Sequence, residues 1–214
     1  RSFFHTQGAN GTLCYGEINQ AMIKRAKFCF VTGTMVMSTF DGEQTARLLA
    51  DAQAAGVKTL LDTVYVDNAS VELWHKNILP CLPHLDYFIP SRPEAAKITG
   101  LQQPSEIAKF MQDKGCRNVV IKMDEHGAFC REASGAETMV PSYQVDKVVD
   151  TTGAGDTWSA GFLAGLREGL AMPDAAQLGN ATAAHCIQAA GASTGIVPLA
   201  KIKLFQKHAA LRKS

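Results

Sequence analysis

Short apolar runs alternate with amphipathic stretches along this chain, and no other feature constrains the fold as strongly. The runs at 28–31, 57–64 and 117–123 are rich in apolar residues, as strands buried between two layers are. The stretches 41–55 and 104–115 have the apolar spacing of helices that cover a sheet. The alternation predicts an α/β fold: a three-layer, doubly wound and mostly parallel sheet.

The remaining elements fit the same architecture. We find no repeat, linker or low-complexity segment, so the pattern predicts one domain over residues 1–214. A hairpin with its turn at Ser134-Gly135 is predicted for 127–143. The other predicted elements are a strand at 85–90 and helices at 69–78, 93–100, 154–168, 173–190 and 198–211.

Composition excludes several classes of protein. The formal net charge is +1 and only 19% of the residues are charged, so no basic face for nucleic acid is expected. No run of eighteen apolar residues occurs, so no membrane span is predicted. The six cysteines form no C-x-x-C pair, which disfavours a zinc site and fits a reduced, cytoplasmic setting.

The stretch "DTTGAGDTWSAGF" at 150–162 is a glycine-rich turn followed by a helical pattern. The phosphate-binding sequence G-x-x-x-x-G-K-[ST] does not occur in the chain. The dinucleotide fingerprint G-x-G-x-x-G would require a third glycine where Trp158 stands. The turn therefore predicts an anion site of a different kind from these two.

The small residues of this turn leave backbone N–H groups open to a ligand. A helix that begins here presents unpaired N–H donors and a partial positive charge, which favour an anion. Asp156 lies in the same turn, where a carboxylate would oppose simple phosphate binding. It can instead act as a base that takes a proton from a substrate hydroxyl. The alternative is that Asp156 only caps the helix.

Polar residues also follow three predicted strands at the point where each strand ends. Ligands of such folds bind at the carboxyl ends of the strands, so these side chains are candidates for one site. The residues are Asp62 and Thr63, then Ser91, Arg92 and Glu94, then Lys122 and Asp124.

At "DTTGAGDTWSAGF" the chain resembles the ribokinase-like, or PfkB, carbohydrate kinases. Further segments are similar in order and spacing, so the resemblance covers essentially the whole chain. They are "RSFFHTQGAN", "PSRPEAAKITG", "VVIKMDEHGAF" and "GNATAAHCIQAAGASTG".

The resemblance implies ATP-dependent phosphorylation of a sugar or sugar-like alcohol, with ATP and Mg²⁺ as cofactors. It implies that Asp156 is the catalytic base and that Gly153, Ala154 and Gly155 form the anion hole. Glu94 would help to organise Mg²⁺. Ser91 stands where the family usually has Asn and is a candidate cofactor-binding residue, since its hydroxyl can hold a water.

The resemblance also implies contacts with the nucleotide and with a monovalent cation. Lys122 and Gly127 match positions around the nucleotide phosphates and ribose, and Asn180 matches a position near the adenine. Asp150 and Thr152 match a K⁺ site of some members, which backbone carbonyls around Cys186 and Gly191 would complete.

Family members carry a further N-terminal portion with the first strands, a Gly-Gly substrate motif and a β lid. We expect that portion to be absent from these 214 residues, and a homodimer to form through the lid. Substrate identity would depend largely on that portion, although His5, Asn10 and Tyr15 lie near it. A nucleoside kinase of the same fold and a non-catalytic nucleotide- or sugar-binding protein therefore remain alternatives.

Overall fold

A computed structural model describes residues 6–212, and these residues form a mixed sheet with helices. Six strands follow one another through the sheet in chain order: β1 (Phe28–Thr34), β2 (Lys58–Thr63), β3 (Tyr87–Phe88), β4 (Asn118–Lys122), β5 (Ala128–Arg131) and β6 (Glu137–Val140). Strands β1 to β4 pair in parallel, whereas β5 and β6 form an antiparallel hairpin. The predictions of an α/β fold, of a mostly parallel sheet and of the hairpin are confirmed.

The chain divides into two compact units, Arg1–Val119 and Val120–Ser214, with the division inside β4 (Asn118–Lys122). The predicted single domain over 1–214 stays a prediction. Elements of the first unit are α1 (Gln20–Ile23), β1 (Phe28–Thr34), α2 (Glu43–Ala54), β2 (Lys58–Thr63), α3 (Val71–Ile78), β3 (Tyr87–Phe88), α4 (Arg92–Thr99) and α5 (Pro104–Asp113).

Two helices of the first unit show why their sequences form helices at these positions. Helix α2 buries Thr45, Leu48, Leu49 and Ala52, which recur at helical spacing on one face. Helix α5 has a proline at its first position, where the missing N–H costs no hydrogen bond. The apolar face of α2 packs against β1 and β2.

The second unit contains the hairpin and three helices. Its elements are β5 (Ala128–Arg131), β6 (Glu137–Val140), α6 (Ala154–Arg167), α7 (Met172–Cys186) and α8 (Leu199–His208). Helices α6 and α7 pack so closely that a Cβ atom at Gly161 would lie 2.3 Å from the Thr182 hydroxyl oxygen. This contact fixes the helix whose N-terminus carries the predicted site.

Several elements are shorter than predicted, and hydrogen bonds to distant residues account for the ends of two of them. Helix α7 ends at Cys186 rather than at 190, since the carbonyl of Ile187 accepts the N–H of Val149. Helix α8 ends at His208 rather than at 211, since the carbonyl of Ala210 accepts the N–H of Gln144. Strand β3 has only two residues because a 3-10 helix precedes it closely.

Candidate active site

The turn before α6 is held in a left-handed conformation at Gly153, which is the N-cap residue (φ 76°). A Cβ atom at this position would lie 2.4 Å from the backbone oxygen of Ala192. Real Cβ atoms do not approach an oxygen so closely, so the turn requires glycine here for its own fold. The bare side of Gly153 therefore faces protein, unlike the open surface that we expected of all three small residues.

The N-terminus of α6 keeps backbone donors that the fold does not use. The N–H of Ala154 donates to the carbonyl of Thr151 at 3.2 Å, and that of Thr157 donates to Gly153 at 2.9 Å. Between them, the N–H groups of Gly155 and Asp156 have no backbone acceptor within residues 6–212. Unused N–H donors at the positive end of a helix dipole are groups that favour an anion, and the predicted anion site stays a prediction.

Lys122 adds a positive charge at the same place. It is the last residue of β4 and is half-buried. Its ammonium nitrogen lies 3.7 Å from the position that a Cβ atom would take at Gly155. The structure thus brings together Lys122 and Gly155, which the sequence places 33 positions apart. A flexible ammonium beside free N–H donors suits a phosphoryl group.

Asp156 is the third residue of α6 and its side chain is exposed. The N-cap is Gly153, and among residues 6–212 no side chain caps this helix, so the interpretation of Asp156 as a helix cap is wrong. An acid in the first turn still interacts favourably with the helix dipole. The carboxylate lies on the same helical turn as the unused donors, and its role as a base stays a prediction.

Asp150 ties the turn to the loop that follows α7. One carboxylate oxygen accepts the N–H of Thr152 and the other accepts the N–H of Gly191, each at 2.9 Å. The sulfur of Cys186 lies 3.4 Å from the carbonyl oxygen of Ala192 and 3.6 Å from that of Thr152, so its thiol can donate to either. The residues named for the monovalent cation are thus neighbours, and the cation itself stays a prediction.

The predicted nucleotide residues Asn180 and Gly127 have structural contacts of their own. The Asn180 side chain accepts the indole N–H of Trp158 at 2.7 Å and donates to the carbonyl of Pro141 at 3.0 Å. A Cβ atom at Gly127 would lie 2.0 Å from the carbonyl oxygen of Val140. These contacts account for an amide and a glycine at the two positions, and nucleotide binding there stays a prediction.

Ser91 and Glu94 lie in the first unit, at the start of α4. Ser91 is the N-cap, and Glu94 completes a capping box by accepting the N–H of Ser91 at 2.6 Å. The same carboxylate oxygen accepts the hydroxyl of Thr63 at 2.9 Å. Residues at the ends of β2 and β3 therefore meet as predicted for strand ends, and Thr63 is a contact that the family pattern did not single out.

Glu94 fits a role in ordering the water shell of Mg²⁺. Its side chain is buried, with 6% of the residue exposed, and one of its oxygens already holds two protein donors. A hard cation such as Mg²⁺ keeps several of its waters and takes few carboxylates. In the described part of the chain, no three His, Cys, Asp or Glu side chains converge as a metal centre.

The structure describes two of the three residues that were expected near the substrate portion. His5 lies outside the described residues. Asn10 lies in an exposed 3-10 helix, and the phenol of Tyr15 donates to Asp51. Within residues 6–212, no helix has the length and apolar composition needed to cross a membrane.

The fold defines a class of α/β proteins, and comparison with known structures identifies that class. A ribokinase from Thermotoga maritima superposes with a TM-score of 0.77 at 21% identity, over 94% of this chain and 63% of that one. An Arabidopsis thaliana ribokinase complexed with ribose and ATP gives 0.73 at 20% identity, over 88% and 58%. The ribokinase-like fold is confirmed.

Residues 4–199 match the family described as pfkB family carbohydrate kinase, and the chain belongs to that family. The 2-dehydro-3-deoxygluconokinase of Bacillus subtilis (strain 168) is 29% identical over 211 residues. The alignment covers 95% of this chain and 64% of that enzyme. The chain thus spans less than two thirds of the length of this relative.

Proposed function

We propose that this protein is an ATP-dependent kinase that phosphorylates a hydroxyl group of a sugar or sugar-like compound. The observation that carries the proposal is the combination of Lys122, the unused N–H groups of Gly155 and Asp156, and the exposed Asp156 carboxylate at one helix N-terminus. Family membership and the relatives named as sugar kinases support the same chemistry.

The Asp156 carboxylate accepts the proton of the substrate hydroxyl as its oxygen attacks the γ-phosphorus of ATP. The new O–P bond forms while the bond to the β-phosphate oxygen breaks, and ADP leaves with the electron pair. The N–H groups of Gly155 and Asp156 and the ammonium of Lys122 stabilise the charge on the transferred group. Asp156 then releases its proton to solvent.

Mg²⁺, when bound, neutralises part of the phosphate charge, and Glu94 is the residue that we assign to its water shell. Glu94 suits this role because two donors fix the orientation of its carboxylate. A monovalent cation near Asp150 and Thr152, a homodimer formed through a lid and a cytoplasmic location belong to the same proposal.

Substrate choice separates the leading function from its alternatives. We propose to measure ADP formation by the full-length protein with 2-dehydro-3-deoxygluconate, ribose and adenosine as acceptors, each with MgATP. Turnover with a sugar and none with adenosine supports a carbohydrate kinase, whereas the reverse supports a nucleoside kinase. ATP binding without ADP formation on any acceptor would contradict the kinase proposal and indicate a binding protein.

A further inference from the structure

The side chain of Thr63 contacts the carboxylate of Glu94 from a neighbouring strand. Thr63 is the last residue of β2, and 7% of it is exposed. Its hydroxyl donates to Glu94 Oε2 at 2.9 Å, and the same oxygen accepts the N–H of Ser91 at 2.6 Å. One carboxylate oxygen is therefore held by two donors that come from two different elements.

The N–H of Ser91 already completes the capping box of α4, so the helix does not need a second donor. The Thr63 hydroxyl fixes Glu94 with respect to the carboxyl end of β2. The backbone N–H of Thr63 also donates to Asp62 Oδ1 at 2.9 Å. One residue thus contacts two carboxylates, Asp62 and Glu94, which are only 3% and 6% exposed.

We infer that Thr63 is a positioning residue that sets the orientation of Glu94 for Mg²⁺, and this inference rests on the function proposed above. Partners that hydrogen-bond a metal-organising carboxylate fix its orientation, and their loss typically lowers metal affinity by about 10- to 100-fold. The alternative is a purely structural role, in which the hydroxyl is a hydrogen-bonded polar group of the core. Its loss would then change the stability of the protein alone.

The test compares Thr63→Val with Thr63→Ser in the full-length protein. Valine keeps the branched shape and removes the hydroxyl, whereas serine keeps the hydroxyl. Thr59→Val is the matched control: Thr59 is a fully buried residue of the same strand, and its hydroxyl donates to the carbonyl of His84 at 2.6 Å. It does not contact Glu94, so its loss reports the cost of removing a buried hydroxyl from β2.

Three quantities are measured for each variant: the melting temperature, the Mg²⁺ concentration for half-maximal turnover, and Mn²⁺ binding in the presence of ADP. Free Mn²⁺ is followed by its paramagnetic signal, so this last readout does not depend on catalysis. We expect Thr63→Val to raise the Mg²⁺ requirement and the Mn²⁺ dissociation constant by about tenfold or more. Thr63→Ser should stay within about twofold of wild type, and Thr59→Val should lower only the melting temperature.

Unchanged Mn²⁺ binding in a folded Thr63→Val variant would overturn the inference. An equal rise of the Mn²⁺ dissociation constant in the Thr59→Val variant would overturn it as well. If Thr63→Val does not fold, Thr63→Cys replaces it, because a thiol is a weaker donor than a hydroxyl. Wild-type Mn²⁺ binding in that variant would then overturn the inference. Full turnover in an Asp156→Asn variant would instead refute the proposed mechanism, so the two failures are distinguishable.

Discussion

The ammonium nitrogen of Lys122 lies 3.7 Å from the position of a Cβ atom at Gly155. This relationship brings the end of β4 to the first turn of α6, where the N–H groups of Gly155 and Asp156 have no acceptor in the described residues. A side-chain cation and backbone donors therefore act on the same volume. An anion bound there interacts with both, which distinguishes this turn from an ordinary helix start.

We expect Lys122→Met to lower kcat/KM for ATP by roughly 10- to 100-fold, because it removes the charge beside the N–H donors. Methionine has a similar length, so the packing of β4 should be kept. Steady-state kinetics with varied ATP measures the effect. Lys147→Met, which removes an exposed charge from the same unit, should leave kcat/KM unchanged. An equal loss of kcat/KM in both variants would indicate a general effect of net charge and would contradict the role of Lys122 at this turn.

The two glycines of the turn should respond differently to alanine. Gly153→Ala forces a side chain into the left-handed region and against the backbone of Ala192, so it should cost roughly 1–3 kcal/mol of stability or more. Gly155→Ala meets only Lys122 Nζ at an ordinary distance, so the protein should stay folded while kcat falls by about tenfold or more. Urea unfolding and kinetics separate the effects. A Gly155→Ala variant with normal kcat would show that the backbone there is not used.

Much of the fold follows from the sequence, because local signals and the final contacts agree. The alternation of strands and helices, the hairpin at Ser134-Gly135 and the family were predicted and are confirmed. The C-terminal ends of α7 and α8 were not, since they depend on hydrogen bonds to distant residues such as that from Val149 to Ile187. Periodicity carries no information about such partners.

The sequence predicted which residues form the candidate site better than it predicted their contacts. The sequence showed that Asp156 follows a glycine-rich turn, but the identity of the N-cap as Gly153 depends on backbone dihedral angles that only the structure shows. The sequence also placed Thr63 and Glu94 at or after the ends of neighbouring strands, but it did not show that the two side chains share a hydrogen bond. Glu94 proved to serve the cap of α4 as well, a role that the S-x-x-E spacing at 91–94 could have indicated. The catalytic and binding roles stay predictions.

His185 should make the stability depend on pH. Its Nε2 atom is buried and has no hydrogen-bond partner in the described part of the chain, and its ring centroid lies 4.8 Å from that of Phe205. Burial lowers the pKa of His185 below its ordinary value near 6.5, so the folded state binds fewer protons than the unfolded state. The free energy of unfolding should therefore fall as the pH drops below about 6.5.

Urea unfolding at pH 7.5, 6.5 and 5.5 measures this dependence. His185→Phe, which cannot titrate, should flatten the decline between these pH values. His208→Gln removes an exposed histidine of α8 and should leave the decline as in the wild type. An identical pH dependence in the His185→Phe variant would show that another group is responsible.

The central claim is that Asp156 takes the proton of the substrate hydroxyl, and a comparison with Asp174 tests it most directly. Asp174 is the exposed third residue of α7, the position that Asp156 has in α6, so both acids interact with a helix dipole. The measurement is kcat for Asp156→Asn and Asp174→Asn in the full-length protein, at saturating MgATP and sugar. We predict that Asp156→Asn lowers kcat by roughly 10²- to 10⁴-fold with little change in ATP affinity, while Asp174→Asn keeps wild-type turnover. A folded Asp156→Asn variant with full kcat would contradict the assignment.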